Sequence, residues 1–269
     1  MSKINNSLYN IRLLDDLAQK ESVIHKLHPL IKLLTTFMYL IVVVSFEKYD
    51  ISAMLPLIFY PVLLFSISEL PVIPILKRVL FVMPFIIGIG IWSLFFDTQI
   101  IIVGGIHIAR GWFAFFSLVL KCILTVTASI LLIASTGMGP LSHALRMLKV
   151  PKIFILQLTL TYRYLSVLME EVSKMMRAHS LRAPQQKGIH PAIWGCFCGQ
   201  LLLRTFDRAK RVYDAMSLRG FHGEYPAGNI AKLKTSDFAY FTGWSVFFIL
   251  IRLYNLPVLI GDLFIEVIK

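Results

Sequence analysis

Acidic residues are scarce in this chain: 15 Asp and Glu stand against 27 Lys and Arg, and charged residues of either sign make up only 16% of it. With 57% hydrophobic residues and a mean hydropathy of +0.73, that poverty excludes an ordinary soluble domain. Cysteine is equally sparse. Cys122, Cys196 and Cys198 cannot build a framework of bridges, and Cys-x-Cys without a matching pair is a poor metal pattern, so the three are read as small apolar residues on helices. The histidines at 25, 28, 107, 143, 179, 190 and 222 show no ligand spacing, and no metal site is expected. A phosphate-cradling Gly-x-x-x-x-Gly-Lys-Ser/Thr loop is missing, so the chain is not expected to hydrolyse ATP itself. With no Ser/His/Asp set, no paired carboxylates and no nucleic-acid motif, no catalytic residue, no resident cofactor and no nucleic-acid partner is expected.

What the chain has in abundance is long apolar runs. Segments near the length that crosses a hydrocarbon core lie at 30–46, 51–67, 79–96, 111–133 and 238–256. The fold class read from them is an all-α membrane protein with about five transmembrane helices, within a range of four to six. Lys121, near the middle of the fourth run, is either a functional site inside the membrane, a charge paired within the bundle, or a boundary between two shorter helices. Pro29 suits a helix start, and Lys32 is expected to snorkel to the headgroups. Pro56, Pro61, Pro71, Pro74 and Pro84 are expected to kink helices or mark their ends. The first 29 residues are polar, with an amphipathic pattern at Leu8, Ile11, Leu14 and Leu17 and without the features of a cleavable signal.

Charge is unevenly placed. Residues 139–234 hold 15 Lys and Arg and 5 Asp and Glu, which puts +10 of the chain's net +12 into one block. Lys and Arg close to spans stay in the cytoplasm, so this block and the N-terminus are expected inside the cell. Lys77 and Arg78 are read as an inside loop, whereas the loops at 47–50 and 97–109 fall outside with the C-terminus. The expected organisation is an N-terminal segment 1–29, a transmembrane bundle 30–138, the basic module 139–234 and a last transmembrane segment 235–269.

Within the block the apolar residues recur every three or four positions. Leu158, Tyr162, Leu165, Met169, Val172 and Met176 predict an amphipathic helix over 156–183, roughly 42 Å long, with Glu170 and Lys174 in favourable i, i+4 order. A break at 184–188 precedes a second helix that starts near Pro191, carries Leu202, Phe206, Ala209, Tyr213 and Met216 on one face, and stops at Gly220. Arg204, Arg208 and Arg211 form a basic face suited to anionic headgroups or an acidic protein. Each helix closes on a similar sequence, Ser180-Leu181-Arg182-Ala183 and Ser217-Leu218-Arg219-Gly220. Each can present a planar guanidinium to a partner's carboxylate, or simply satisfy its own last carbonyls.

The run 200–221, with Arg204-Thr205-Phe206-Asp207-Arg208-Ala209-Lys210-Arg211 at its centre, resembles the second coupling-helix region of the transmembrane T component of energy-coupling-factor transporters, cobalt type, the CbiQ family. Asp16-Leu17-Ala18, the stretch 27–32, Val43-Val44-Ser45-Phe46 and Leu160-Thr161-Tyr162-Arg163-Tyr164-Leu165 extend the likeness over most of the chain. The resemblance implies membrane helices plus long cytoplasmic coupling helices. Their two x-Arg-x motifs, here Leu181-Arg182-Ala183 and Leu218-Arg219-Gly220, would dock into a pair of ATP-binding-cassette ATPases. Those partners would hold the ATP and Mg, and a separate membrane capture subunit would bind cobalt or nickel. It implies a bacterial or archaeal cytoplasmic membrane and a lipid environment. Both motifs depart from the family's commoner Ala-Arg-Gly, and His28 and Leu30 replace its usual Asp and Arg. A rival expectation is a membrane enzyme acting on lipid or isoprenoid phosphates, for which Asp207, Asp214 and Glu224 make a poor metal cluster.

Overall fold

The computed structural model describes residues 18, 22, 24–47, 50–96, 100–103, 106–184, 190, 193–223 and 233–254. The amphipathic segment at Leu8 to Leu17, most of the break at 184–188, the helix start at Pro191 and the apolar tail beyond 254 lie outside the described residues. The chain divides into two compact units, an apolar one over 16–137 with 231–269, and a basic one over 138–230 with 1–15.

In the apolar unit α1 spans Pro29–Ser45. A compound helix follows: α2, Ile51–Met54, a 3₁₀ turn, Leu55–Ile58, and α3, Phe59–Ser68. Then come α4, Val72–Phe96, a two-stranded antiparallel hairpin, β1 Ile100–Val103 with β2 Ile106–Ala109, and α5, Arg110–Thr136. The last helix of this unit, α9, is Thr235–Leu253. Three stretches are long and apolar enough to cross a membrane, Ile51–Ser68, Val72–Trp92 and Gly111–Thr136, while Pro29–Ser45 is an apolar helix of 17 residues.

Three expectations change here. Lys77 and Arg78 are not in a loop: α4 starts at Val72 and runs through both. Lys121 is no helix boundary, since α5 is continuous on either side of it. The segment expected to be a plain loop at 97–109 contains the hairpin, with Ile100 opposite Ala109 and Val103 opposite Ile106.

The core of this unit is an aromatic cluster. Tyr39 of α1, Tyr60 of α3 and Phe248 of α9 are essentially inaccessible, with ring centroids 4.6 Å apart for Tyr39–Tyr60 and 5.4 Å for Tyr39–Phe248. Trp244 meets Tyr60 edge-on at 4.7 Å. Such pairs add to their area burial because ring edges and faces carry opposite partial charge. The hydroxyls are used as well. Pro61 has no N–H to give to the carbonyl four residues back, and the Tyr39 hydroxyl donates to that carbonyl, of Leu57, at 3.1 Å. At Gly90 of α4 an added Cβ would lie 2.7 Å from the Phe115 ring, so glycine permits the close approach of α4 and α5.

In the basic unit α6 is Met138–Met147, α7 is Lys152–Arg182 and α8 is Trp194–Leu218. Lys149 takes a left-handed φ of 60° and closes α6, with Val150 N–H donating to Leu145 O and Lys149 N–H to Arg146 O. The 31 residues of α7 make a rod of about 46 Å, and the 25 of α8 one of about 37 Å. No residue of α7 or α8 is buried among the described residues.

Candidate functional site

The two motifs sit at the C-terminal ends of α7 and α8, and the two ends are built differently. Arg182 is the last residue of α7, and Ala183 caps it with φ −132°, its N–H donating to His179 O at 3.0 Å. At the second end Arg219 is the cap residue and Gly220 follows with φ +80°. There Phe221 N–H donates to Met216 O at 3.1 Å and Gly220 N–H to Ser217 O at 3.0 Å. This double closure needs a left-handed residue, which glycine adopts without a Cβ penalty. Arg182 and Arg219 are both exposed, as are the leucines before them, Leu181 at 82% and Leu218 at 90%.

The expected basic face is partly occupied. Arg204 of α8 pairs with Glu171 of α7, and its hydrogen bond holds that carboxyl below the usual carboxylate range, with Lys174 and Arg208 adding attraction. Arg208 and Arg211 line the same cleft between the helices, with Val167, Leu168 and Asp207, around a volume of about 240 Å³. Sequence periodicity singled out Glu170; its neighbour Glu171 reaches across to Arg204 of the other helix. The apolar face of α8 stays open, with Leu202 57%, Phe206 66% and Tyr213 63% exposed.

In the apolar unit the ends of α1 collect charged groups whose partners the sequence did not reveal. His28 caps the helix, its Nδ1 accepting from Leu30 N–H at 3.2 Å, and its own N–H donates to Asp237 Oδ1 at 3.1 Å. Lys32 does not snorkel. It is 5% exposed, and its ammonium donates to Ser135 O at 2.9 Å and His25 O at 3.3 Å. At the other end Lys121 donates to Phe46 O at 2.5 Å and Glu47 O at 3.3 Å. Arg252 donates to Ser45 Oγ at 3.1 Å and Ser45 O at 3.2 Å, with its guanidinium 5.0 Å from the Phe46 ring centroid. An acid at the N-terminus of α1 and two cations at its C-terminus match the helix dipole and satisfy orphan carbonyls. Of the readings offered for Lys121, pairing inside the bundle fits. An acidic residue in the first turn of an apolar helix was the available signal for Asp237.

Cys122 is half-buried, Cys196 and Cys198 are exposed, and all three thiols are free. Among the described residues no group of three or more His, Cys, Asp or Glu could hold a metal ion.

Against this geometry, the sequence model of the CbiQ family, described as cobalt transport protein, matches residues 20–228. The chain belongs to the CbiQ family. Two relatives are similar over much of their length. One is the energy-coupling factor transporter transmembrane protein EcfT of Bacillus subtilis, 26% identical over 229 residues, 75% of this chain and 82% of that protein. The other is an uncharacterised protein of Methanocaldococcus jannaschii, 26% identical over 186 residues. That match takes in 65% of this chain and 63% of the archaeal protein, less than two thirds of it. The CbiQ match covers α1 to α8 and both arginine-tipped ends.

Proposed function

We propose that this chain is the transmembrane coupling subunit of an importer whose ATP hydrolysis takes place in partner chains, and that Arg182 and Arg219 are its contacts with a pair of ATP-binding-cassette ATPases. The observation that carries the reading is the pair of exposed arginine tips on long helices with no buried residue, in a member of a transport family. A long amphipathic helix with no fully buried residue has apolar surface left for packing against another subunit. An arginine at its tip offers two parallel donors to a carboxylate, and an acidic groove on an ATPase is the matching surface. Movement of the ATPases would displace both tips, and α7 and α8 would carry that displacement to a separate membrane subunit that captures the substrate. The open face of Leu202, Phe206 and Tyr213 suits such a grip, since apolar side chains exposed to this extent on one helix face mark an interaction surface.

The cargo in this reading is a transition-metal ion held by the capture subunit, cobalt first and nickel second; the name of the matching family supports cobalt. The basic unit would lie on the cytoplasmic side, in accord with the net +10 of residues 139–234. Uptake of radioactive cobalt and nickel into cells expressing this chain with its neighbouring genes tests the cargo. Cobalt accumulation that depends on this chain is the expected result, and accumulation unchanged by its deletion refutes it. Copurification tests the docking. Wild-type chain brings ATPase subunits from solubilised membranes, and the double variant Arg182→Glu with Arg219→Glu loses them.

A further inference from the structure

Both passages between the units adjoin one buried polar cluster. The chain leaves the apolar unit after Gly137 and returns to it at Ala231. Two residues before the first passage, the Ser135 carbonyl accepts from Lys32 at 2.9 Å. Three residues after the second, Lys234 N–H donates to Asp237 Oδ2 at 2.8 Å, and the other oxygen of that carboxylate accepts from His28 N–H at 3.1 Å. His28 and Lys32 lie one helical turn apart at the start of α1, joined by Lys32 N–H donating to His28 O at 3.3 Å. The first turn of α1 therefore holds the end of α5 with one side chain and the start of α9 with one backbone N–H.

These groups are well hidden: His28 is 4% exposed, Lys32 5%, Asp237 3% and Ser135 7%. Burying an ammonium and a carboxylate is expensive, and an apolar pair of similar volume is often as stable or more so. Bundle stability alone therefore accounts poorly for their presence, whereas fixing the geometry of two chain connections accounts for it well. Gly137, with φ +75°, directly follows the pinned end of α5.

We propose that Lys32 and Asp237 are positioning residues that pin the end of α5 and the start of α9 to the first turn of α1. The two helix ends then move together when either is displaced. The pinning itself is independent of what the chain transports; its consequence for uptake rests on the coupling role proposed above.

Hydrogen–deuterium exchange on the full-length chain, isolated in lipid nanodiscs with the subunits that accompany it, tests the pinning. Lys32→Met speeds exchange at 133–138 by about tenfold to a hundredfold, as expected when a buried carbonyl loses its donor, and leaves 152–182 unchanged. Asp237→Ala does the same at 28–31 and 234–238, while Asp237→Asn, which keeps one acceptor, has a smaller effect at the same residues. Unchanged exchange at those positions, or a uniform rise through the whole bundle, overturns the proposal. A second readout separates positioning from folding. With equal amounts of assembled complex, both variants continue to hydrolyse ATP and lose uptake; hydrolysis and uptake falling together in step with the yield of complex overturns positioning. If wild-type chain brings no ATPase, the coupling reading fails, and the exchange measurement still decides the pinning.

Discussion

The apolar unit closes on itself, and the basic unit does not. Around Tyr39, Tyr60 and Phe248 the first stacks rings and directs the Tyr39 hydroxyl at the Leu57 carbonyl, which Pro61 cannot serve. In the second, no residue of α7 or α8 is fully buried among the described residues, and the Glu171–Arg204 ion pair joins the two helices. The difference teaches that the two regions obtain stability from different sources. On the proposed function, residues of the bundle matter to this chain's own folding, whereas residues of the helix pair matter to what it assembles with. Mutations that separate stability from assembly can break that division or sharpen it.

The largest effect on stability is expected in the aromatic cluster. Phe248→Ala should cost about 3 to 5 kcal/mol, read as a lower midpoint of thermal unfolding in a fixed detergent. A midpoint within error of wild type would contradict a packed core there. In the helix pair the triple change Leu202→Ala, Phe206→Ala and Tyr213→Ala should leave the midpoint within about 0.5 kcal/mol of wild type. The same variant should lose assembled complex, as interface anchors do when truncated, by about 2 kcal/mol or more. A reversed pattern, with low stability and normal assembly, would break the division.

Smaller effects distinguish the two tips. Gly220→Val places a β-branched residue at φ +80°, and an added Cβ meets nothing within 4 Å, so the cost is backbone strain of about 1 to 2 kcal/mol. Ala183→Gly, at a negative φ, should shift stability by less than about 1 kcal/mol. Local exchange at 216–221 and 179–183 reads both, and equal effects would deny that the ends differ. The smallest effect belongs to the Glu171–Arg204 pair, at most about 1 kcal/mol for an exposed ion pair. Because Arg204 lowers the folded-state pKa of Glu171, the contribution is present above the ordinary glutamate range and lost as pH falls through the lowered value. Glu171→Gln should remove that acid-side loss in a titration of helix content; a titration identical to wild type would dismiss the pair.

Most of the helices were legible, because apolar length and 3.6-residue periodicity are strong signals, and the all-helical membrane class follows from them. Their ends were less so. Lys77 and Arg78 suggested a loop, yet charged side chains near a helix start can reach water while the backbone stays helical. The hairpin had a readable sign, an Ile/Val run and the segment Ile106-His107-Ile108 separated by Gly104-Gly105, which the reading of 97–109 as a loop passed over. Lys32 and Asp237 were illegible as partners for a different reason. Each takes its meaning from groups 103 and 209 residues away, Ser135 and His28, and periodicity carries no information about contacts at that separation. The tips were legible as a repeated motif, but the difference between the negative-φ cap at Ala183 and the left-handed Gly220 that follows the cap Arg219 rests on backbone geometry.

The central claim is that the two arginine tips are where ATPases attach. Affinity isolation of the double variant Arg182→Glu with Arg219→Glu, beside wild type and at matched expression, measures it most directly. Losing one partner of each hydrogen-bonded charge pair costs about 2 to 5 kcal/mol, so bound ATPase should fall by about 30-fold to several thousandfold while the variant's unfolding midpoint stays that of wild type. ATPase recovered in wild-type amounts, with ATP-dependent uptake intact, would contradict the account.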